Sequence, residues 1–401
     1  MTKETCCATI AGGSLLTLLL WQVLAQSTSP QVGEPLPGLT PDEQARFQQG
    51  INQFTQVENQ FTGLGPVFNG RSCIECHGQP VGGGSSPDRG NSLETRFGRM
   101  LNGSFDPMIE QGGPLVQSRS VHEVEPNCPI QGEQVPAEAT LISHRITPPV
   151  FGAGLIDAIS ESEILKNADP NDRDGDGISG RPNIVFNPES FTNEVGRFGW
   201  KAHVSTLHLF AGDAYLNEMG ITNPTFADEN LPQGQPIPDG CDFLTESLED
   251  DSGQQVDELT DFMQFLAPPA RGPITQRVKT GAKIFATIGC AKCHVPTLMT
   301  GDSPVEALRF KPVNLYSDLL LHGMGPILDD GLPMGTAKGN EWRTAPLWGL
   351  SKRIFFLHDG RASTIEEAIR RHGGEAKKAR SRFTGLSNSD HDALLAFLRS
   401  L

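Results

Sequence analysis

A chain of 401 residues has room for two or three domains and for a core that hides large cofactors. Its formal charge of −16 excludes the broad basic face that a nucleic-acid or anionic-membrane partner requires, and is accounted for by solubility. Its 44 glycines and 30 prolines stay below the level of a disordered chain and indicate ordered loops.

In chain order, residues 1–25 read as a secretory signal. Lys3, offset by Glu4, precedes an apolar run from Ala8 to Leu24, and Val23-Leu24-Ala25 sets compact residues before a cleavage point at Gln26. A retained anchor is the competing reading, but the run falls short of the ~20 residues a span needs. The expectation is therefore export to the periplasm or an equivalent compartment, with Cys6 and Cys7 removed and no stable membrane span left.

Thr40-Pro41 opens a helix through about Phe54, with proline at its first position. Cys73-Ile74-Glu75-Cys76-His77 follows it. A second helix, from Thr275 to about Ile288, leads into Cys290-Ala291-Lys292-Cys293-His294. This spacing suits covalent haem, since each thiol can add to one vinyl group and the adjoining histidine then lies under the iron. A thioredoxin-type pair would follow a strand, and no apolar strand run leads into Cys73. A zinc site gives no reason for a histidine after both pairs. Two covalently attached c-type haems are expected, on Cys73, Cys76, Cys290 and Cys293, with His77 and His294 as iron ligands. Cys128 and Cys241 remain, and a disulfide or two buried thiols both fit.

Residues of about 79–195 carry few helical patterns and should form loops with short strands. Within them Asp172-Arg173-Asp174-Gly175-Asp176-Gly177 resembles the opening of a calcium loop, but Asn183 stands where the bidentate glutamate of an EF-hand belongs. A Ca²⁺-tethered loop on Asp172, Asp174 and Asp176 and a solvated acidic turn both remain open. Val256, Leu259, Phe262, Met263 and Leu266 recur at helical spacing, and a Pro-rich linker spans Ala267 to Pro273. Ser387-Asn388-Ser389-Asp390 starts a last helix carrying Leu394, Leu395, Phe397 and Leu398. Helix, haem motif, loops and helix occur twice in that order. The fold class expected is mainly α with loop-rich insertions: two c-type cytochrome domains, at 26–270 and 271–401, the first expanded by the long insertion with short strands.

The segment from Phe356-Leu357-His358-Asp359-Gly360-Arg361 to Ile369 resembles the His-Asp-Gly stretch of bacterial di-haem cytochrome c peroxidases and of the methylamine-utilisation di-haem enzyme. Gly196-Arg197-Phe198-Gly199-Trp200-Lys201 and Asn217-Glu218-Met219-Gly220-Ile221-Thr222 are similar to the di-haem oxidoreductase family, often labelled "thiol oxidoreductase". The resemblance runs through nearly all of the mature chain. It implies that His372, fourteen residues after His358, occupies the place of the sixth ligand of the C-terminal haem, where the peroxidases have Met and the methylamine enzyme Tyr. His294 and His372 would then be an axial pair, of lower potential than Met/His; a solvated helix-end histidine is the plain alternative. His358 would lie beside this haem, and Arg343 is a candidate for a propionate salt bridge.

For the first haem the resemblance implies that Glu218 moves peroxide protons and that His208, ten residues earlier, stands where the peroxidases have Gln. His203, His122, His144 and Met219 are other conceivable ligands. Trp200 corresponds in order to a tryptophan between the haems. The activity implied is peroxidase-like, with electrons from an external donor, such as a small cytochrome or copper protein, relayed through one haem to a small oxidant such as peroxide at the other. A di-haem electron-transfer cytochrome with no substrate turnover is the competing function. Thiol oxidation would have only Cys128 and Cys241 to act through.

Overall fold

In the computed structural model the helix Pro41–Thr55 starts where its cap places it. The Thr40 hydroxyl accepts from the Glu43 amide at 3.2 Å, and the Glu43 carboxylate accepts from the Thr40 amide at 2.7 Å, so two otherwise unpaired donors are satisfied reciprocally. Its buried side, Phe47, Gly50 and Phe54, lies on the helix Gln254–Phe265, which buries Val256, Leu259, Phe262 and Met263. The same device recurs near the C-terminus. There Gln276–Thr287, capped by Thr275, packs on Asn388–Arg399, capped by Ser387. In both pairs one glycine permits the close approach. A Cβ on Gly50 would meet the Glu258 carbonyl oxygen at 2.3 Å, and one on Gly281 would meet that of Ala393 at 2.0 Å.

The structure describes residues 1, 30–89, 93–244 and 249–401. The signal expected at 1–25 lies outside these apart from Met1. Helices carry both cores, while the stretch from 79 to 195 is mostly loop with short strands, interrupted by two short helices, Ala153–Asp157 and Glu161–Leu165. Its main sheet is antiparallel, with Leu93–Leu101 flanked by Ser104–Asp106 and Leu141–Ile146, followed by the hairpin Ile184–Asn187 and Thr192–Val195. Among the described residues no helix is long and apolar enough to cross a membrane.

Packing crosses residue 270. The first core joins Phe54, Phe68, Leu207 and Phe262 to Leu298, Leu308, Leu315 and Leu320, whereas the second gathers Val278, Phe285, Phe383, Leu394 and Phe397. The segment after the second motif thus threads back into the first core, which fixes one motif-bearing helix pair against the other. Cys128 and Cys241 form a disulfide across 113 residues and sit in a small apolar cluster of their own with Val67, Val121 and Ile130. By the chain-entropy relation, closing so long a loop stabilises the folded chain by roughly 5 kcal/mol.

Candidate functional site

The second motif opens onto a cavity of about 430 Å³, whose lining includes Cys290, Cys293, His294, His372, Arg343 and Arg353. Gly289, at φ 98°, turns the chain from the helix Gln276–Thr287 into the motif. His294 donates from Nδ1 to the Tyr316 carbonyl at 3.0 Å, and His372 from Nδ1 to the Ala368 carbonyl at 2.8 Å. A carbonyl oxygen only accepts, so each ring carries its proton on Nδ1 and keeps the Nε2 lone pair for a metal. His372 ends the helix Ile365–Arg371, which Thr364, rather than the preceding Ser363, caps. Burial holds His294 down at about 4, and the neighbouring His372 pushes it the same way; burial also lowers His372. Both rings are therefore neutral at pH 7, the form that binds iron.

The first motif repeats this chemistry on one side. His77 donates from Nδ1 to the Gly84 carbonyl at 3.2 Å and meets the Phe54 ring edge-on at 5.9 Å. Burial holds it at about 4. Nearby, the helix Leu207–Met219 is stitched to the lead-in of the motif, because the Glu218 carbonyl accepts from the amides of Asn69 and Gly70 at 2.8 and 3.0 Å. The Glu218 carboxylate accepts from Asn69 Nδ2 at 3.0 Å. Burial, then the charge of Glu94, pushes Glu218 up to about 7, and burial pushes Asp213 up to about 6. Arg96, ion-paired with Glu94, attracts both. Glu218, Asp213 and Arg96 are each half-buried. Glu218 also acts electrostatically on Cys73, which ties this polar cluster to the first motif.

The profile of a family described as "Di-haem oxidoreductase, putative peroxidase" matches residues 129–401. The chain belongs to this family. The match takes in Glu218, the second motif and His372, and begins after the first motif. No curated protein matches the chain. Solved structures similar to it include hydrazine synthase of Kuenenia stuttgartiensis, at 15% identity, full coverage of both chains and a TM-score of 0.39. A MauG-like protein associated with microbial copper homeostasis shares 15% identity over 94% of each chain, with a TM-score of 0.41. The diheme peroxidase BthA of Burkholderia thailandensis shares 13% over 92% of this chain and 87% of its own, with a TM-score of 0.40. Likeness this distant carries no argument about the present chain.

Membership of the family implies two haems, and the second cavity fits one. It offers two thiols, two neutral histidines and buried guanidinium nitrogens without partners. The other expected residues distribute unevenly. Trp200 lines this cavity and also a small one of about 50 Å³ beside Pro148; its Nε1 donates to the Ile146 carbonyl at 2.8 Å, and the Pro148 carbonyl lies by His77. His358 is buried in the wall, stacked on Trp342 at 3.8 Å, and burial holds it at about 4. Arg343 donates from Nε to the Gly199 carbonyl at 2.9 Å.

His208 is not brought to Glu218. Its ring is exposed, with Nδ1 on Glu189 at 2.6 Å and Nε2 on Asp257 at 3.2 Å. Ten residues of helix separate it from Glu218, about 15 Å along the axis. His203 is the more enclosed histidine. Its Nδ1 is buried without a partner, its ring fills the space over Gly199, and Arg96, Arg145, Arg343 and Lys201 reinforce burial in keeping it neutral. His122 is engaged by the Cys128 carbonyl, His144 by the Thr95 hydroxyl, and Met219 lies in the first core. The carboxylates of Asp172, Asp174 and Asp176 do converge, within 4.8 Å of one another, but Asp176 is already ion-paired with Lys292 of the second motif.

Three buried features carried no signal in the sequence. Arg353 belongs to no motif, Arg96 arrives from the insertion, and His322 bridges Asp318 and Glu375 at 2.8 Å each beside Cys293.

Proposed function

We propose that the chain is an exported di-haem c-type oxidoreductase of peroxidase type. Residues 1–25 act as its signal, and residues 26–270, with the insertion at 79–195, and 271–401 each carry one haem. Cys73 and Cys76 hold the first covalently, Cys290 and Cys293 the second. A haem supplies an iron that passes single electrons and, where one face is open, takes a small oxidant as ligand.

The observation that carries the reading is an asymmetry. His294 and His372 line one cavity, each with Nε2 free of a carbonyl partner, and both would be available to the second iron, which suits electron relay. At the lead-in to the first motif there is instead a carboxylic acid, Glu218, hydrogen-bonded to Asn69 and held at about 7. Near neutrality such a group is half protonated, so its carboxyl can take a proton from one oxygen of a bound peroxide and return it to the other. Asn69 fixes the carboxylate, and its desolvation limits loss of that proton to water. Trp200, which lines the cavity of the second motif and the small one beside Pro148, would offer a path for electrons from an outside donor, a small cytochrome or copper protein.

His203 favours a second reading, an electron carrier, since an unpartnered neutral ring is free to bind the first iron and close it. A cyanide titration of the ferric and one-electron-reduced protein, followed optically, separates the two. Binding to one haem, with peroxide consumed at the expense of a reduced donor, supports the enzyme. Failure of either haem to bind cyanide in either state leaves only the carrier.

A further inference from the structure

Two cations on the wall of the second cavity lack the partners that buried charges require. Arg343 uses Nε on the Gly199 carbonyl, and its Nη1 is buried without a partner. Arg353 reaches the Pro346 carbonyl through Nη2 at 3.3 Å, and its Nε is buried without a partner. Burial pushes both down to about 10, and the charge of Arg353 lowers Arg343 further. Asp318 pulls weakly the other way on Arg343, but neither guanidinium forms an ion pair among the described residues. Leaving one such charge unpaired in a desolvated site is strongly unfavourable, and here two stand close together.

Other cations line the same cavity, and the two lysines at the motif edge are taken. Lys292 pairs with Asp176, and Lys378 donates to the Asp176 carbonyl at 2.7 Å. What Arg343 and Arg353 need is a ligand with two carboxylates. Haem has two propionates, on the edge opposite the vinyl groups that the cysteines bind.

We infer that Arg343 and Arg353 together would anchor the two propionates of the second haem. This rests on the reading of the cavity as a haem site, and not on peroxidase chemistry. Both arginines also line the small cavity beside Pro148 and Trp200. Folding of the C-terminal half is then coupled to its cofactor, because without haem the two guanidiniums stay unpaired.

The test is Arg353→Met in two full-length backgrounds, the haem-loaded chain and one with Cys290→Ala, Cys293→Ala and His294→Ala that cannot load the second site. The expected result is a sign reversal: a lower melting temperature when loaded, and an equal or higher one when unloaded. Destabilisation in both backgrounds makes Arg353 a packing residue and overturns the inference. If neither unloaded chain folds, resonance Raman of the loaded proteins decides. The propionate bending band should shift in Arg353→Met, and an unchanged band overturns the inference. Intact mass showing fewer than two haems on the wild-type chain would remove the cofactor reading itself, a separate failure.

Discussion

His294 and His372 are held alike in the lining of one cavity, each giving its Nδ1 proton to a backbone carbonyl, that of Tyr316 at 3.0 Å and that of Ala368 at 2.8 Å. Such a bond fixes the ring plane and leaves Nε2 as the only ligand atom. Burial keeps both rings uncharged, with His372 adding to it at His294 and Arg380 at His372. Both are thus prepared to bind a metal, as the proposed axial pair requires.

His372→Ala should therefore open one face of the second haem. The low-spin signal of that haem in EPR is expected to give way to a high-spin one, and added imidazole should restore it by filling the space the ring leaves. The first haem should keep its spectrum. An EPR spectrum identical to wild type would return His372 to the helix end.

Glu218 links activity to stability with opposite signs. Its folded value, about 7, lies above the ordinary carboxylate range, so the folded chain holds a proton that the unfolded chain has released. This penalty is absent below about pH 4.5, grows as pH rises toward 7, and is fully present above it. Glu218→Gln keeps an acceptor for Asn69 and removes the charge. It should raise the melting temperature at pH 8, by an amount worth up to about 3 kcal/mol, and change little at pH 4.5. Peroxide turnover should fall by roughly 10²–10⁴-fold, as for loss of a general acid-base group. Stabilisation at pH 8 with full turnover would assign Glu218 a structural role only.

His208 offers the converse case. Both its nitrogens meet carboxylates in a solvent-exposed setting, so its ion pairs contribute well under 1 kcal/mol. His208→Gln is expected to leave peroxide kcat/KM and the haem spectra within about twofold of wild type. A loss of tenfold or more would bring His208 back to the first haem.

The contrast between these histidines shows where sequence is legible. Thr40, Thr275 and Ser387 announce helix starts because a cap is a local bond over three residues, and all three cap as expected. Each motif is likewise readable, being five consecutive residues after a helix. Counting from His358 leads to a histidine in the lining of the second motif's cavity, since the chain to the end of that helix is short and continuous. Counting failed at His208 because ten residues of α-helix make about 2.8 turns, which carries a side chain both along the axis and round to another face. Arg96, His322 and Arg353 were hidden for a different reason. Each reaches its site through packing between distant segments, and no local pattern records that. For the same reason nothing in the composition of residues 298–320 tells that they join the first core instead of the second.

Gly281 tests whether the helix pair behind the second motif tolerates any slack. A Cβ there would stand 2.0 Å from the Ala393 carbonyl oxygen and 2.7 Å from Phe397 Cβ, contacts that neither backbone can accommodate without moving. The helix carrying Gly281 leads straight into Cys290, so displacing it also displaces the motif. Gly281→Ala should destabilise the chain by about 1–3 kcal/mol, read as a lower melting temperature, even though alanine is the better helix former. Gly301→Ala serves as the comparison: its new Cβ would meet Ser160 Cβ at 3.6 Å, an ordinary contact, and should change stability by no more than about 0.5 kcal/mol. Equal melting temperatures for the two variants would mean that the helices are free to part, and that the motif is not held by this crossing.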